Sequence, residues 1–393
     1  MNGKRILICC NRPMGIGGIE KALTTLLTAF NTRDNEVHLV IHDATGAFQK
    51  DLPLDEINVF YTNTIDAKQY LKDDIRNFRI LNVIEGLWNR ILLRIDSNWY
   101  AQIMYMYRLK KRGLKIPGHF DCAIAFSTDY SDMAMVLNAD ADKKAAFIHG
   151  DATFNVRAAR LNEKLVSRMD KIFSVSDRAK ELFVRIHPSC ESRVEILHNV
   201  VLKEDIWMKA NEPATDMVLD GKITLCTVAR MVPEKGQYMI PEIAEKLCKD
   251  GWDFRWYLVG DGSDRSRVEA EIRNHGMENR VFLLGSRPNP YPYMKNCHIY
   301  VQPSFHEALC TTTLEAKTLC KPVVTTDAAG MREQFNSGEN GLIVDAITAE
   351  GVYKGIVQLL EHPEMRDAFS RRLEETSNGI DNDLSKLYEF IEN

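Results

Sequence analysis

Two glutamates, Glu307 and Glu315, stand eight positions apart in SFHEALCTTTLEAKTLCKPVVTT (304–326). HIYVQPS, just upstream, is rich in β-branched and aromatic residues and reads as a buried strand. TTTLEAKTLC reads as a short helix opened by threonines able to cap free amides. Glu307 therefore falls in the turn and Glu315 inside the helix. A helix starting near Thr312 presents unpaired backbone N–H groups to the same space, which is how a backbone receives an anion such as a diphosphate. One carboxylate can then hold sugar hydroxyls and the other ribose hydroxyls, so the chemistry indicated is that of a nucleotide-activated sugar. The spacing alone also arises by chance, as a loop acid and a surface helix acid. The neighbouring segments carry the discrimination.

In ITLCTVARMVPEKGQYMIPEIAEKL a strand over 223–229 delivers Arg230, and Lys235 follows a turn containing Pro233, at the opening of an amphipathic helix. The two cations can converge on one anion, Arg bidentately and Lys as a compact charge at the positive end of a helix dipole. WYLVGDG ends a strand at Gly260, and VFLLGSRPNPYPYMKNC ends another at Gly285, followed by Arg287 and a Pro-Tyr-Pro-Tyr segment that can flank a nucleobase. Repeated strand, tight turn and helix units predict a parallel sheet with ligands collected at its carboxyl edge.

The amino-terminal half repeats the pattern. KRILICC is a strand, Gly15, Gly17 and Gly18 form a glycine turn, IEKALTTLLTAF is a helix and EVHLVIHD a second strand ending near Asp43. A dinucleotide-binding reading is weakened because GIGGIE lacks the last glycine of that fingerprint. KKAAFIHGD places His149 just after a strand, where ligands gather in a parallel sheet, although a lone histidine after an apolar strand is more often a hydrogen-bonded structural residue. KIFSVSDRAKELF is a strand and a helix that Ser176 can cap.

Arg230 to Gly236, Gly260 to Gly262, Gly285 and 304–324 resemble the donor half of the family 4 glycosyltransferases, retaining enzymes of the GT-B fold. The resemblance covers most of 222–345 and rests on arginine, four residues, lysine, glycine and on glutamate, seven residues, glutamate. It implies an α/β architecture of two Rossmann-like, doubly wound parallel-sheet domains facing a central cleft. It further implies diphosphate contact by Arg230 and Lys235, donor-sugar contact by Glu307 and ribose contact by Glu315. The backbone near Leu309, Cys310 and Thr311 would cradle the diphosphate, with Gly260 and Arg287 on the donor side. Gly17 and Gly18 would face the donor phosphates from across the cleft, and His149 would lie beside the transferred sugar. No metal is required on this scheme, and no cofactor beyond a substrate such as a UDP- or GDP-sugar. The family commonly has a glycine after the first glutamate and another before the Pro-Val-Val strand. Ala308 and Lys321 stand there in this chain, which leaves the donor sugar open.

The 393 residues, 45% hydrophobic and 27% charged, suit two globular domains. We place a first, acceptor-binding domain at 1–200, a donor-binding domain at 222–375 and a helix crossing back to the first domain at 376–393. Nine cysteines without a CxxC pair argue against a disulfide frame or zinc site. With no signal peptide and no apolar run long enough to span a membrane, the expected location is cytoplasmic. Segment 68–115 holds eleven basic against four acidic residues, about +7 in a chain of net charge −5, which leaves about −12 elsewhere. It also carries Trp88, Trp99, Tyr100, Tyr105 and Tyr107. A basic, aromatic helical insertion suits an anionic membrane, peripherally on the inner face of the cell membrane, and suits equally a solvated helical face. The acidic remainder argues against nucleic acid. The expected function is transfer of a sugar from a nucleoside diphosphate to a glycan or lipid-linked acceptor, in bacterial surface polysaccharide or glycolipid biosynthesis. A sugar-nucleotide epimerase or phosphorylase on the same scaffold, or a non-catalytic nucleotide-sugar-binding partner of another transferase, are the alternatives.

Overall fold

The computed structural model describes residues 3–30, 34–43, 45–62, 116–150, 162–376 and 382–393. The basic segment 68–115 lies outside the described residues. Thirteen described strands form two sheets in which every pairing is parallel. The first contains β1 (Arg5–Cys10), β2 (Glu36–Ile41), β3 (Ile57–Tyr61), β4 (Phe120–Ala125), β5 (Ala141–Ile148), β6 (Lys171–Ser174) and β7 (Val194–Ile196), in the order β3-β2-β1-β4-β5-β6-β7. The second contains β8 (Ile223–Val228), β9 (Phe254–Val259), β10 (Val281–Gly285), β11 (Ile299–Gln302), β12 (Val323–Thr326) and β13 (Leu342–Val344), in the order β10-β9-β8-β11-β12-β13.

Helices cover both faces of these sheets, so the central strands are buried nearly throughout rather than on alternate residues: five of the six residues of β1 and of β8 are buried. Buried polar groups in the second core are satisfied in series. Trp256 Nε1 donates to Thr227 Oγ1 at 3.1 Å, and that hydroxyl donates to Val301 O at 2.7 Å.

In each sheet the chain order reverses beside its first strand, between β1 and β4 and between β8 and β11. A crevice opens at such a switch point, outside the carboxyl ends of the strands. The glycine turn follows β1, Arg230 follows β8 and the Glu307 loop follows β11, so topology alone brings three candidate segments to the facing edges.

Helix Lys203–Ala210, in the stretch between the two sheets, packs on the second core through Ile206 and Ala210. Helix Ser385–Glu392 returns to the first, burying Leu387 and Ile391, stacking Tyr388 on Phe30 with ring centroids 5.1 Å apart and receiving Lys143 Nζ at Phe390 O, 2.9 Å away. Two passages of the chain thus link the lobes, and Asn382 ties them together: its side chain accepts from Val201 N and donates to Val201 O, each at 2.8 Å.

Candidate functional site

A cleft of about 450 Å³ lies between the sheet edges, lined by Gly17, Gly18, His149, Arg230, Lys235, Gly260, Arg287, Glu307, Leu309, Cys310, Thr311 and Glu315. All twelve residues singled out from the sequence border this one space. Both lobes contribute, Gly17, Gly18 and His149 from the first and the others from the second.

Lys235 and Glu307 touch. Lys235 lies in a single 3₁₀ turn, Pro233–Lys235, and not at the opening of the α-helix, which begins only at Ile240. Gly236 follows with φ +67°, and a Cβ there would stand 2.1 Å from Pro303 O, so only glycine lets this turn pack against the end of β11. A backbone bond from Phe305 N to Glu234 O, 2.8 Å, joins the two loops. Lys235 Nζ consequently meets Glu307 Oε2 at 2.7 Å, while Glu307 Oε1 accepts from Ser304 Oγ at 2.7 Å. The carboxylate ends a buried relay in which Tyr300 donates to Gln302, Gln302 to Ser304 and Ser304 to Glu307. Burial works against the Lys235 charge, but the Glu307 carboxylate outweighs it and the ammonium pKa lies above its ordinary value. Arg230 and Lys235 share the cleft, yet Lys235 reaches a carboxylate rather than leaving both cations free for one anion.

Helix Thr311–Thr318 begins at the N-cap Cys310 with no side-chain cap. The threonines do not cap it as the sequence reading expected. Thr313 Oγ1 lies within hydrogen-bonding distance of both Cys310 O, 2.8 Å, and Gln334 Oε1, 2.7 Å, and so is spent on acceptors. The first amides of the helix are thereby left to the cleft. Burial, reinforced by the Glu307 charge, pushes the Cys310 thiol up to about 12, so it stays neutral.

Opposite stands the amino end of helix Gly18–Ala29. Gly17 is extended, at φ −158°, and a Cβ on it would meet the Glu20 carboxylate at 2.2 Å, so its missing side chain makes room for this chain's own Glu20. Gly18 is open: its Cβ position is 3.6 Å from Thr311 Oγ1 across the cleft. Two helix amino ends, one from each lobe, therefore face one another, and both favour negative charge between them.

Glu315 is 8% exposed and receives the Tyr291 hydroxyl at 2.9 Å. Burial raises its pKa, and Lys21 and Tyr291 counter that only in part. Arg287 borders the cleft with its guanidinium held by Asp216 at 2.6 Å and by the Tyr293 hydroxyl at 3.3 Å. Gly260 packs against Ala229 O, beside Arg230. His149 lies between Phe126 and Phe147, at centroid distances of 4.6 and 5.6 Å, and its Nε2 is buried without a hydrogen-bond partner. Burial lowers its pKa to about 3, with Arg12 adding to the effect, so the imidazole is neutral near pH 7 and offers one unsatisfied nitrogen.

Ala308 has no positive φ, so alanine is accommodated there. The second departure belongs one residue earlier than the sequence reading put it. Cys320, at φ +54°, occupies the left-handed position that glycine favours, after helix Thr311–Thr318, with Cys320 N bonded to Lys317 O and Lys321 N to Ala316 O. The sequence reading passed over Lys21, three residues beyond Gly18 and so on the same helix face. Its ammonium stands 5.7 Å from the Tyr291 ring and 5.5 Å from the Phe48 ring. Among the described residues no group of three or more His, Cys, Asp and Glu is placed to hold a metal ion, and no helix is long and apolar enough to cross a membrane.

The two facing parallel-sheet lobes with a cleft between them are the GT-B fold. HepE from Anabaena, solved with UDP and glucose, superposes with a TM-score of 0.73 over 99% of this chain and 98% of its own, at 15% identity. Residues 212–376 match the family described as Glycosyl transferases group 1. Over 218 residues, 55% of the chain, there is 28% identity with an N-acetylgalactosaminyltransferase of Campylobacter jejuni named for a diphospho-undecaprenol acceptor. Over 164 residues, 42% of the chain, there is 30% identity with LpsE, named a lipopolysaccharide core biosynthesis glycosyltransferase, of Rhizobium meliloti. The matches span 58% and 47% of these relatives' own lengths.

Proposed function

We propose that the chain is a retaining glycosyltransferase that moves a sugar from a nucleoside diphosphate to a glycan or lipid-linked acceptor, in surface polysaccharide or glycolipid biosynthesis. The observation that carries this reading is the opposition of two helix amino ends, at Gly18 and Thr311, in a cleft that also holds Arg230, the Lys235–Glu307 pair and the buried Glu315. The family match over 212–376 and the relatives' names support the same reaction class.

In this scheme the diphosphate lies between the helix ends, against Arg230 and Lys235. Positive charge fixed before reaction stabilises the charge that accumulates on the departing diphosphate. Glu307, held by Lys235 and Ser304, accepts from donor-sugar hydroxyls, and Glu315 with Tyr291 holds the ribose. His149, neutral at working pH, acts as a hydrogen-bond partner of the sugar and not as an acid. The bond from the anomeric carbon to the diphosphate oxygen breaks, the bond to the acceptor oxygen forms on the same face, and the acceptor proton passes to the departing diphosphate. The cations and amides do here what a divalent metal does elsewhere, so transfer should survive chelators. The reaction belongs at the inner face of the cell membrane, where 68–115 meets anionic lipid.

The test offers UDP-, GDP- and ADP-sugars with lipid-linked and glycan acceptors, and follows nucleotide release and the anomeric configuration of the product by NMR. Release of nucleoside diphosphate with an α-linked product from an α-linked donor supports the reading. Binding without transfer from every donor leaves a non-catalytic nucleotide-sugar binder and sinks it.

A further inference from the structure

Helix Asp177–Ile186 belongs to the first lobe, yet its amino end is fastened to the second. Ser176, its N-cap, is fully buried. Its hydroxyl accepts from Ala179 N at 3.1 Å and donates to Ala308 O, 2.9 Å away. The next two amides, Asp177 N and Arg178 N, donate to the two oxygens of Glu333, each at 2.9 Å. Glu333 sits on the short helix Met331–Gln334, which follows Gly330. A Cβ on Gly330, itself at φ +79°, would lie 2.4 Å from the same Ala308 O. The carbonyl is therefore enclosed by Ser176 of one lobe and Gly330 of the other.

Ala308 follows Glu307, and the peptide unit that carries its carbonyl also carries the N–H of Leu309, a residue bordering the cleft. The described chain has no cis peptide bonds, and in a planar trans peptide the carbonyl and the N–H point in opposite directions. Holding the carbonyl toward Ser176 thus turns the Leu309 N–H to the other side of that peptide. A free loop would let the plane rotate, and the neighbouring helix end would then lose one of its donors.

From this geometry we infer that Ser176 is a positioning residue for the donor diphosphate. From the opposite lobe it orients the Ala308–Leu309 peptide so that the Leu309 N–H faces the phosphates, and Glu333 clamps the two lobes in that register. The inference rests on the nucleotide-sugar reading above and adds that the diphosphate cradle is complete only when the lobes are closed.

The test measures binding of UDP and GDP, and of uridine and guanosine, by calorimetry on the full chain. Ser176→Gly keeps a tolerated N-cap and removes the hydroxyl donor. Ser176→Thr retains it. Ser176→Gly should weaken binding of the favoured diphosphate by about 3- to 10-fold, the range expected for one net hydrogen bond, and leave the matching nucleoside unchanged. Ser176→Thr should restore diphosphate binding. Glu333→Gln, on the surface, should shift the diphosphate in the same direction without touching the hydroxyl, and decides the matter alone if Ser176→Gly does not fold. Wild-type affinity for the diphosphate in Ser176→Gly and Glu333→Gln, or an equal loss for nucleoside and diphosphate, overturns the inference while the nucleotide-sugar reading stands. A wild-type chain that binds neither UDP nor GDP overturns that reading, and this inference with it.

Discussion

Breaking the Lys235–Glu307 pair from either side should have opposite consequences for ligand binding. The pair is 2.7 Å long, with side chains 19% and 6% exposed. Lys235→Met leaves a buried carboxylate with Ser304 as its one remaining donor among the described residues, and loss of one partner from a buried pair costs about 3–5 kcal/mol. Because Lys235 borders an open cleft that lets water approach, we expect the low end, about 3 kcal/mol. Glu307→Gln keeps the Ser304 contact and leaves an ammonium facing the cleft, at a cost of about 1–2 kcal/mol. The double variant carries neither orphan charge, so it should lie within about 1–2 kcal/mol of wild type, a coupling of about 3 kcal/mol. Urea denaturation of the four proteins measures the cycle. Calorimetry with UDP or GDP should show Lys235→Met weakening diphosphate binding by about tenfold or more, the loss of one charge-assisted contact. Glu307→Gln should bind the diphosphate at least as tightly as wild type, since Lys235 is released toward it, while turnover falls far more than stability does. Additive single effects on stability, or diphosphate affinity indifferent to Lys235, would refute the reasoning.

Three further outcomes are expected. Cys320→Gly should raise stability by about 1 kcal/mol, because glycine adopts the left-handed conformation without the strain a side chain imposes; an unchanged or lowered urea midpoint argues against it. Tyr291→Phe removes the Glu315 hydroxyl donor and should weaken nucleoside diphosphate binding by about three- to tenfold, as for one lost hydrogen bond, with less effect on a 2′,3′-dideoxy analogue; equal losses for both ligands would remove Glu315 from the ribose subsite. Burial raises the Asp132 pKa to about 7 despite its bonds from Asn11 N and Ser127 Oγ, each 2.8 Å. Its folded state therefore binds the proton more tightly than the unfolded one. The stability it contributes is complete below an unfolded pKa of about 3.9 and is lost as pH rises through about 7. Asp132→Asn should flatten the wild-type fall in Tm between those limits, and a profile parallel to wild type would count against it.

What could be read from the sequence follows from how parallel sheets are built. β1, β8 and β11 are buried along nearly their whole length and carry no polar/apolar alternation, and strand ends in such sheets carry ligands, so Gly17, Arg230 and Glu307 could be named with no contact known. Contacts set by close backbone approach were hidden. Lys235 and Glu307 are 72 positions apart, and their meeting depends on the Gly236 turn packing against Pro303. Residue type also misled where one group had two uses: Thr313 is a fair cap by composition, but Cys310 O and Gln334 sit within its reach. Lys21 went unremarked because nothing in its own segment announces Tyr291 or Glu315 beyond it. The glycine position was misassigned by one residue because it is fixed by where helix Thr311–Thr318 runs out, a boundary that composition places only loosely.

The return of helix Ser385–Glu392 to the first lobe bears on how the chain is born. A ribosome releases the whole second lobe, from Lys203 through Thr376, before the segment that covers Phe30 emerges. Until then the nascent first lobe shows an apolar groove to its surroundings, at synthesis rates of about 5–20 residues per second. Chaperone engagement and misassembly should therefore concentrate in that interval, and an insertion near Asn382 should harm yield through the earlier-made lobe rather than the later one.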